Sequence, residues 1–219
     1  VVAGYTRYLE HVRDLTAGKE LIASGMRQET ERCEAALEAA ESGKTVALVS
    51  SGDPGIYGMA GLALELAATR QSPIAIEIIP GVSAAQAAAA RLGAPLMLDY
   101  ACISLSDLLV PWEQIRRRLE AVAAADLVTA LYNPRSTKRV TQLEEAVRIF
   151  LQHRPESTPV GIGMAVGSPD ERILMSTLGN LLAQDIDMRT VVIIGNRTTR
   201  DLAGWMVTPR GYEGKRDEG

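Results

Sequence analysis

Cysteine and histidine are scarce in this 219-residue chain, with two of each: Cys33, Cys102, His11 and His153. The cysteines stand apart in apolar or helical surroundings, which argues against a disulfide framework and a thiolate metal site and fits a reducing cytoplasm. Each histidine sits on a charged helical segment without a second candidate ligand, so both read as surface residues and no metal site is expected. There is no HExxH, no GxSxG and no GxxxxGK[ST], and hydrolase and NTPase readings lose their main support. Gly161-Ile162-Gly163 lacks the third spaced glycine that would make it a dinucleotide fingerprint. Neither sign of charge dominates: 23 basic against 27 acidic residues leave a net charge of -4, which gives no global reason to expect nucleic acid or an anionic membrane. No apolar run is long enough for a bilayer, the start lacks a signal-peptide pattern, and no repeat period is present.

What the chain does have is a series of strand-turn-helix units. The central one is Val46 to Met59, VALVSSGDPGIYGM. Its unbroken apolar run Val46 to Val49 predicts a parallel strand covered on both faces. In Gly52-Asp53-Pro54-Gly55, Asp53 is suited to cap a helix, Pro54 to open it, and the glycines to let a ligand approach the main chain. The predicted helix is Ile56 to Thr69. A second unit follows: strand Ile74 to Ile79, the turn Pro80-Gly81, Ser83 as a helix cap, and an alanine-rich helix through Arg91. In open α/β sheets ligands sit at such strand ends.

Upstream, Val1 to Tyr5 reads as the end of a strand caught in mid-element, which predicts a segment before it. Thr6 to Asp14 is expected to form a short helix, Leu21 to Ser24 a brief strand, and Gln28 to Ser42 a helix closed by Gly43. Downstream, Leu92 to Trp112 is the linker candidate, with a strand at Ala101 to Leu105. Helices are predicted at Trp112 to Ala124, Ser136 to His153 and Asn180 to Asp185. Strands are predicted at Leu127 to Tyr132, Val160 to Val166, Arg172 to Ser176 and Thr190 to Ile194, the second and third antiparallel. The tail after Trp205 is expected to be loose. Met97, Met164 and Met188 read as core filler. The alternation is that of an α/β protein, with a mostly parallel sheet first and a mixed sheet second, divided as residues 1–108 and 109–219.

The densest basic cluster, Arg135, Lys138 and Arg139, follows Tyr132-Asn133-Pro134. If Ser136 caps the next helix, these cations crowd its positive end, an unfavourable place unless they turn outward into water or gather an anion. Arg27, in Gly25-Met26-Arg27-Gln28-Glu29, repeats the anomaly at the start of the helix from Gln28.

Taken together, GYTRYL, SGMRQETERC, VALVSSGDPGIYGMAGL, IIPGVSAAQAAAARLGAPL, SLSDLLVPWE, LYNPRSTKR and VVIIGNRTT resemble the precorrin-3B C17-methyltransferase branch of the tetrapyrrole methylases. The likeness runs in order from Val1 to about Thr199. It implies two α/β domains with S-adenosylmethionine in the cleft between them, a homodimer, and a tetrapyrrole acceptor methylated at C17 with ring contraction. It implies that Gly52, Asp53, Pro54, Gly55, Ile56, Ser83, Ala84, Asn133, Ala165 and Val166 line the cofactor site. The acceptor's carboxylates give Arg27, Tyr132, Arg135, Lys138 and Arg139 something to bind. No residue stands out as general base. The family begins with a strand and a glycine-rich loop ahead of the segment matching Val1 to Tyr5. Without that strand the first sheet is expected to lose a central member and expose pairing edges. The rival readings are a sister methylase acting at another ring position and a non-catalytic remnant that still binds tetrapyrrole.

Overall fold

The structure, a computed structural model, describes residues 1–212. It comprises two compact units, Val1–Ser83 and Ala84–Gly219.

In the first unit, β1 (Val2–Tyr5) is the middle strand of a parallel three-stranded sheet, flanked by β2 (Leu21–Ser24) and β3 (Ala47–Val49). Between them run α1 (Thr6–His11), a single 3₁₀ turn at Arg13–Leu15, and α2 (Glu29–Glu41). Glutamate and alanine make α2 a strong helix former, and Glu29 and Glu31 lie in its first turn, where the macrodipole favours negative charge. Its buried stripe is Arg32, Cys33, Ala36 and Leu37.

Several expectations fail in this unit. The helix after the Gly52–Gly55 turn, α3 (Ala60–Thr69), begins at Ala60 rather than Ile56, and Asp53 does not cap it. The Pro54 carbonyl accepts the Ala60 N–H at 3.0 Å, and Gly58 folds so closely onto it that a Cβ there would lie 2.6 Å from that oxygen. Residues 56–59 are therefore loop, with Tyr57 at φ 54°. Ile74 to Ile79 does not join a sheet: its residues make no ladder, and Ile76, Ile78 and Ile79 are exposed. This segment and the outer edge of β3 instead line an apolar cavity of about 770 Å³, floored by Cys33, Ala36 and Leu37 of α2. The run Val46 to Val49 is accordingly not covered on both faces, and Ala47 is exposed. Among the described residues β2 and β3 each pair only with β1 and are the two edges of this sheet.

The second unit opens with α4 (Ala84–Leu92) and β4 (Gly93–Ala94). Its main sheet has five strands in the order β5-β6-β9-β7-β8. These are β5 (Tyr100–Ser104), β6 (Val128–Tyr132), β7 (Pro159–Met164), β8 (Arg172–Thr177) and β9 (Thr190–Ile194). β5 and β6 are parallel, while β9 runs antiparallel to both β6 and β7, and β8 to β7. On one face α5 (Trp112–Ala124), α6 (Thr141–Leu151) and a 3₁₀ segment, Leu178–Ala183, enclose a core around Leu119, Leu131, Phe150, Ile162 and Ile194. On the other face α4 packs Ala85, Ala88 and Leu92 against Ala130, Val191 and Ile193. Successive residues of β9 thus serve opposite cores, which is why that strand is apolar throughout.

Gly161 and Gly163 are explained by the same packing. The place of a Cβ at Gly161 is filled by the Leu92 side chain, and one at Gly163 would lie 2.9 Å from Ala88 Cβ. The alanine-rich helix packs over the strand positions that carry no side chain, Gly161 and Gly163.

The division between units falls at Ser83/Ala84, upstream of the expected 108/109, because α4 packs on β7, β8 and β9. The expected linker holds β4 and β5 and is part of the second unit. The tail is also more ordered than expected: β10 (Arg200–Leu202) and β11 (Trp205–Val207) form a small sheet with β4, and Met206 and Thr208 are fully buried. Residues 213–219 of that tail lie outside the described residues. Met164 is core, but Met97 and Met188 are exposed. Helix α6 starts at Thr141 rather than Ser136, since residues 136–139 close their own turn: Ser136 N–H donates to the Arg139 carbonyl at 2.9 Å, and Arg139 N–H to Ser136 Oγ at 3.0 Å. The expected helix at Asn180 to Asp185 is the 3₁₀ segment displaced by two residues. Among the described residues no helix is long and apolar enough to cross a membrane.

Candidate functional site

In the first unit the two glycine turns meet. Asp53 Oδ1 accepts the N–H of Gly55 at 2.8 Å, and Oδ2 accepts the N–H of Gly81 at 3.0 Å. One carboxylate therefore ties the turn after β3 to the turn after Ile79. Gly52 takes a left-handed conformation, φ 70°, and its carbonyl fills the place where a side chain at Gly81 would stand. These hydrogen bonds, that of Gly81 foremost, hold the Asp53 carboxyl below its ordinary 3.8. Asp53 is thus a brace for two turns rather than the expected cap of one helix, and Pro54 supplies the carbonyl that α3 starts from.

Beside this brace, at the ends of β1 and β3, a pocket of about 190 Å³ is lined by Tyr5, Tyr8, Glu29, Arg32, Ser50 and Met59 among others. Arg32, only 4% exposed, donates from Nε to Ser24 Oγ at 2.7 Å, from Nη2 to the Gly25 carbonyl at 2.8 Å, and from Nη1 to Met59 Sδ at 3.8 Å. Its guanidinium lies 5.9 Å from the centre of the Tyr5 ring. Burial, foremost, pushes the Tyr8 phenol above its ordinary 10.0 and keeps it protonated. Sequence reasoning passed over Arg32. Its signal was position: it stands four residues before Ala36, inside the apolar stripe of α2, where a cation does not belong without a partner.

In the second unit, Tyr132 ends β6 and its phenol oxygen accepts the Ala85 N–H at 3.0 Å, satisfying an amide in the first turn of α4. Asn133 follows in a left-handed conformation, φ 50°, with Nδ2 donating to Ser104 Oγ at 3.0 Å. Ala165, just past β7, is also left-handed at φ 47°, and its N–H donates to the Arg189 carbonyl at 2.9 Å. Two non-glycine residues in this conformation at two strand ends are local strain of the kind that collects at functional sites. Val166 packs toward Gly163.

The basic residues are less of a cluster than their spacing promised, and none of them stands in the first turn of α6. Arg135 pairs with Glu144 at 3.7 Å. Arg139 turns back, donating from Nη2 to the Asn133 carbonyl at 2.9 Å, while its buried Nε has no partner. Lys138 is exposed, and Arg27 is exposed with φ 67°, ahead of α2 rather than inside it. Of the expected site residues, Gly52 to Ile56 and Ser83 belong to the first unit and Ala84, Asn133, Ala165 and Val166 to the second.

The family profile described as Tetrapyrrole (Corrin/Porphyrin) Methylases matches residues 1–182. A probable cobalt-factor III C(17)-methyltransferase of Salmonella typhimurium is 46% identical, over 97% of this chain and 88% of its own length. A precorrin-3B C(17)-methyltransferase of a Sinorhizobium species is 43% identical, over 96% of this chain and 86% of its own. Among solved structures, the methyltransferase CobJ superposes with a TM-score of 0.88 at 36% identity, covering 95% of this chain and 87% of that one. With its parallel glycine-turn sheet, its mixed second sheet and a profile match over most of its length, the chain belongs to the tetrapyrrole methylases.

Proposed function

We propose that this chain transfers a methyl group from S-adenosylmethionine to C17 of a precorrin-3B-type tetrapyrrole, with contraction of the ring, in cobalamin biosynthesis. The relatives that match nearly end to end are named for C17 methylation of cobalt-factor III and of precorrin-3B. A structure titled for cobalt precorrin-4 methylation shares only 24% identity and speaks to the fold alone. The observation that carries the reading is the Asp53 brace, which presents two glycine turns as one main-chain surface.

The residues fit the cofactor. Glycines at 52, 55 and 81 keep the two braced turns free of side chains, and Asn133 and Ala165 make left-handed turns just past the ends of β6 and β7. In this reading Gly52, Asp53, Pro54, Gly55, Ile56, Ser83, Ala84, Asn133, Ala165 and Val166 serve the cofactor. The cofactor supplies an electrophilic methyl on a sulfonium. The chain's part is to orient donor and acceptor for in-line displacement and exclude water. Asp53 is excluded as general base: both oxygens are committed to N–H groups, and its depressed pKa makes it a poor proton acceptor. Arg27, Tyr132, Arg135 and Lys138 bind the acceptor, and Arg139 positions Asn133 through its carbonyl. The protein works in the cytoplasm as a homodimer.

The test is incubation with precorrin-3B and methyl-labelled S-adenosylmethionine, with the product located by NMR. Label at C17 of a contracted ring is expected. Label elsewhere assigns a sister activity, and cofactor binding without transfer assigns a non-catalytic remnant.

A further inference from the structure

We infer that the pocket at the ends of β1 and β3 is an anion subsite in which Arg32 takes a peripheral carboxylate of the tetrapyrrole. The inference rests on the proposed function and names a specificity residue for it. A guanidinium carries five N–H donors. Ser24, Gly25 and Met59 engage three, and the last is a weak sulfur contact at 3.8 Å. One N–H on each terminal nitrogen remains, the paired fork that suits a carboxylate.

The charge is the stronger argument. Arg32 is buried, yet no carboxylate lies within ion-pair distance of it among the described residues. The other deeply buried arginine, Arg154, has Asp126 at 3.4 Å. A clamp on Ser24 and Gly25 needs only neutral donors, whereas a buried cation held by neutral groups is costly until an anion arrives. Glu29 is the one carboxylate among the lining residues; it is exposed and makes no ion pair with Arg32. Tyr8, protonated, adds a hydroxyl donor to the same wall. The ligand is therefore an acid small enough to enter 190 Å³ by one arm, and an acetate or propionate side chain meets that description.

The experiment titrates uroporphyrin III, a stable polycarboxylate tetrapyrrole, by fluorescence and S-adenosylhomocysteine by calorimetry, into wild type, Arg32→Met and Arg32→Lys. Arg32→Met should weaken uroporphyrin at least about tenfold and leave S-adenosylhomocysteine unchanged, with partial rescue in Arg32→Lys. Equal uroporphyrin affinity in wild type and Arg32→Met overturns the subsite, as does parallel loss of both ligands. Should both variants fail to fold, Tyr8→Phe and Glu29→Gln decide: weaker binding in the first and tighter in the second support the subsite, and unchanged binding in either overturns it. Wild type that binds S-adenosylhomocysteine but not uroporphyrin overturns this inference alone. Wild type that binds neither overturns the proposed function as well.

Discussion

At the scale of the residue, Asp53 and Arg32 make opposite use of burial and hydrogen bonding. Asp53 is a charge whose needs are met by two N–H groups far apart in sequence, so its charged form is stabilised. With its folded pKa below 3.8, the stability it contributes is fully present above that value and is lost as pH falls through the folded pKa. The amide protons of Gly55 and Gly81 should therefore titrate together in NMR, with one midpoint below 3.8; separate midpoints would deny the shared carboxylate. Arg154 is a purely structural contrast. It donates from Nη1 to the Gly195 carbonyl and from Nη2 to that of Leu127, and its guanidinium stacks 4.7 Å from the Phe150 ring. Arg154→Ala leaves the Gly195 carbonyl without its donor, while that of Leu127 keeps Thr129 Oγ1, and the loss should be roughly 1–3 kcal/mol in chemical denaturation. Asp53 was legible in the sequence as a turn residue whose carboxylate accepts main-chain N–H groups but not as a brace, because its second partner, Gly81, lies on another turn.

At the scale of the element, some strands and helices were readable nearly to the residue: α5, β6, β8 and β9 stand within one residue of their expected bounds. Helix starts were not. α3 and α6 both begin several residues late, because Asp53 and Ser136, each suited to cap, spend their oxygens on the N–H groups of turns instead. The Ile74 to Ile79 segment has strand composition and no strand partner, and composition cannot report whether a ladder exists to join. The two glycines of β7 were visible, but their reason, the approach of α4, is a tertiary fact. Gly163→Ala should cost about 1–3 kcal/mol of stability through overpacking against Ala88 and Val166, read as a lowered denaturation midpoint. Because Val166 belongs to the proposed cofactor set, the same variant should also weaken S-adenosylhomocysteine.

At the scale of the whole molecule, the fold class and family were legible because seven motifs keep their order along nearly the full chain. The division into units was not, since α4 follows the first unit in sequence but packs on the second sheet. The open edge of β3 and the exposed isoleucines at 76, 78 and 79 form the chain's clearest aggregation liability. Ile78→Lys should raise the concentration at which light scattering begins, and an unchanged onset would place self-association elsewhere. The central claim is that the braced turns hold the methyl donor. Calorimetric titration of S-adenosylhomocysteine into wild type and Asp53→Ala tests it most directly. Saturable binding by wild type, weakened about tenfold or more in a variant with unchanged circular dichroism, is the predicted result. Equal affinity in the two proteins would contradict it.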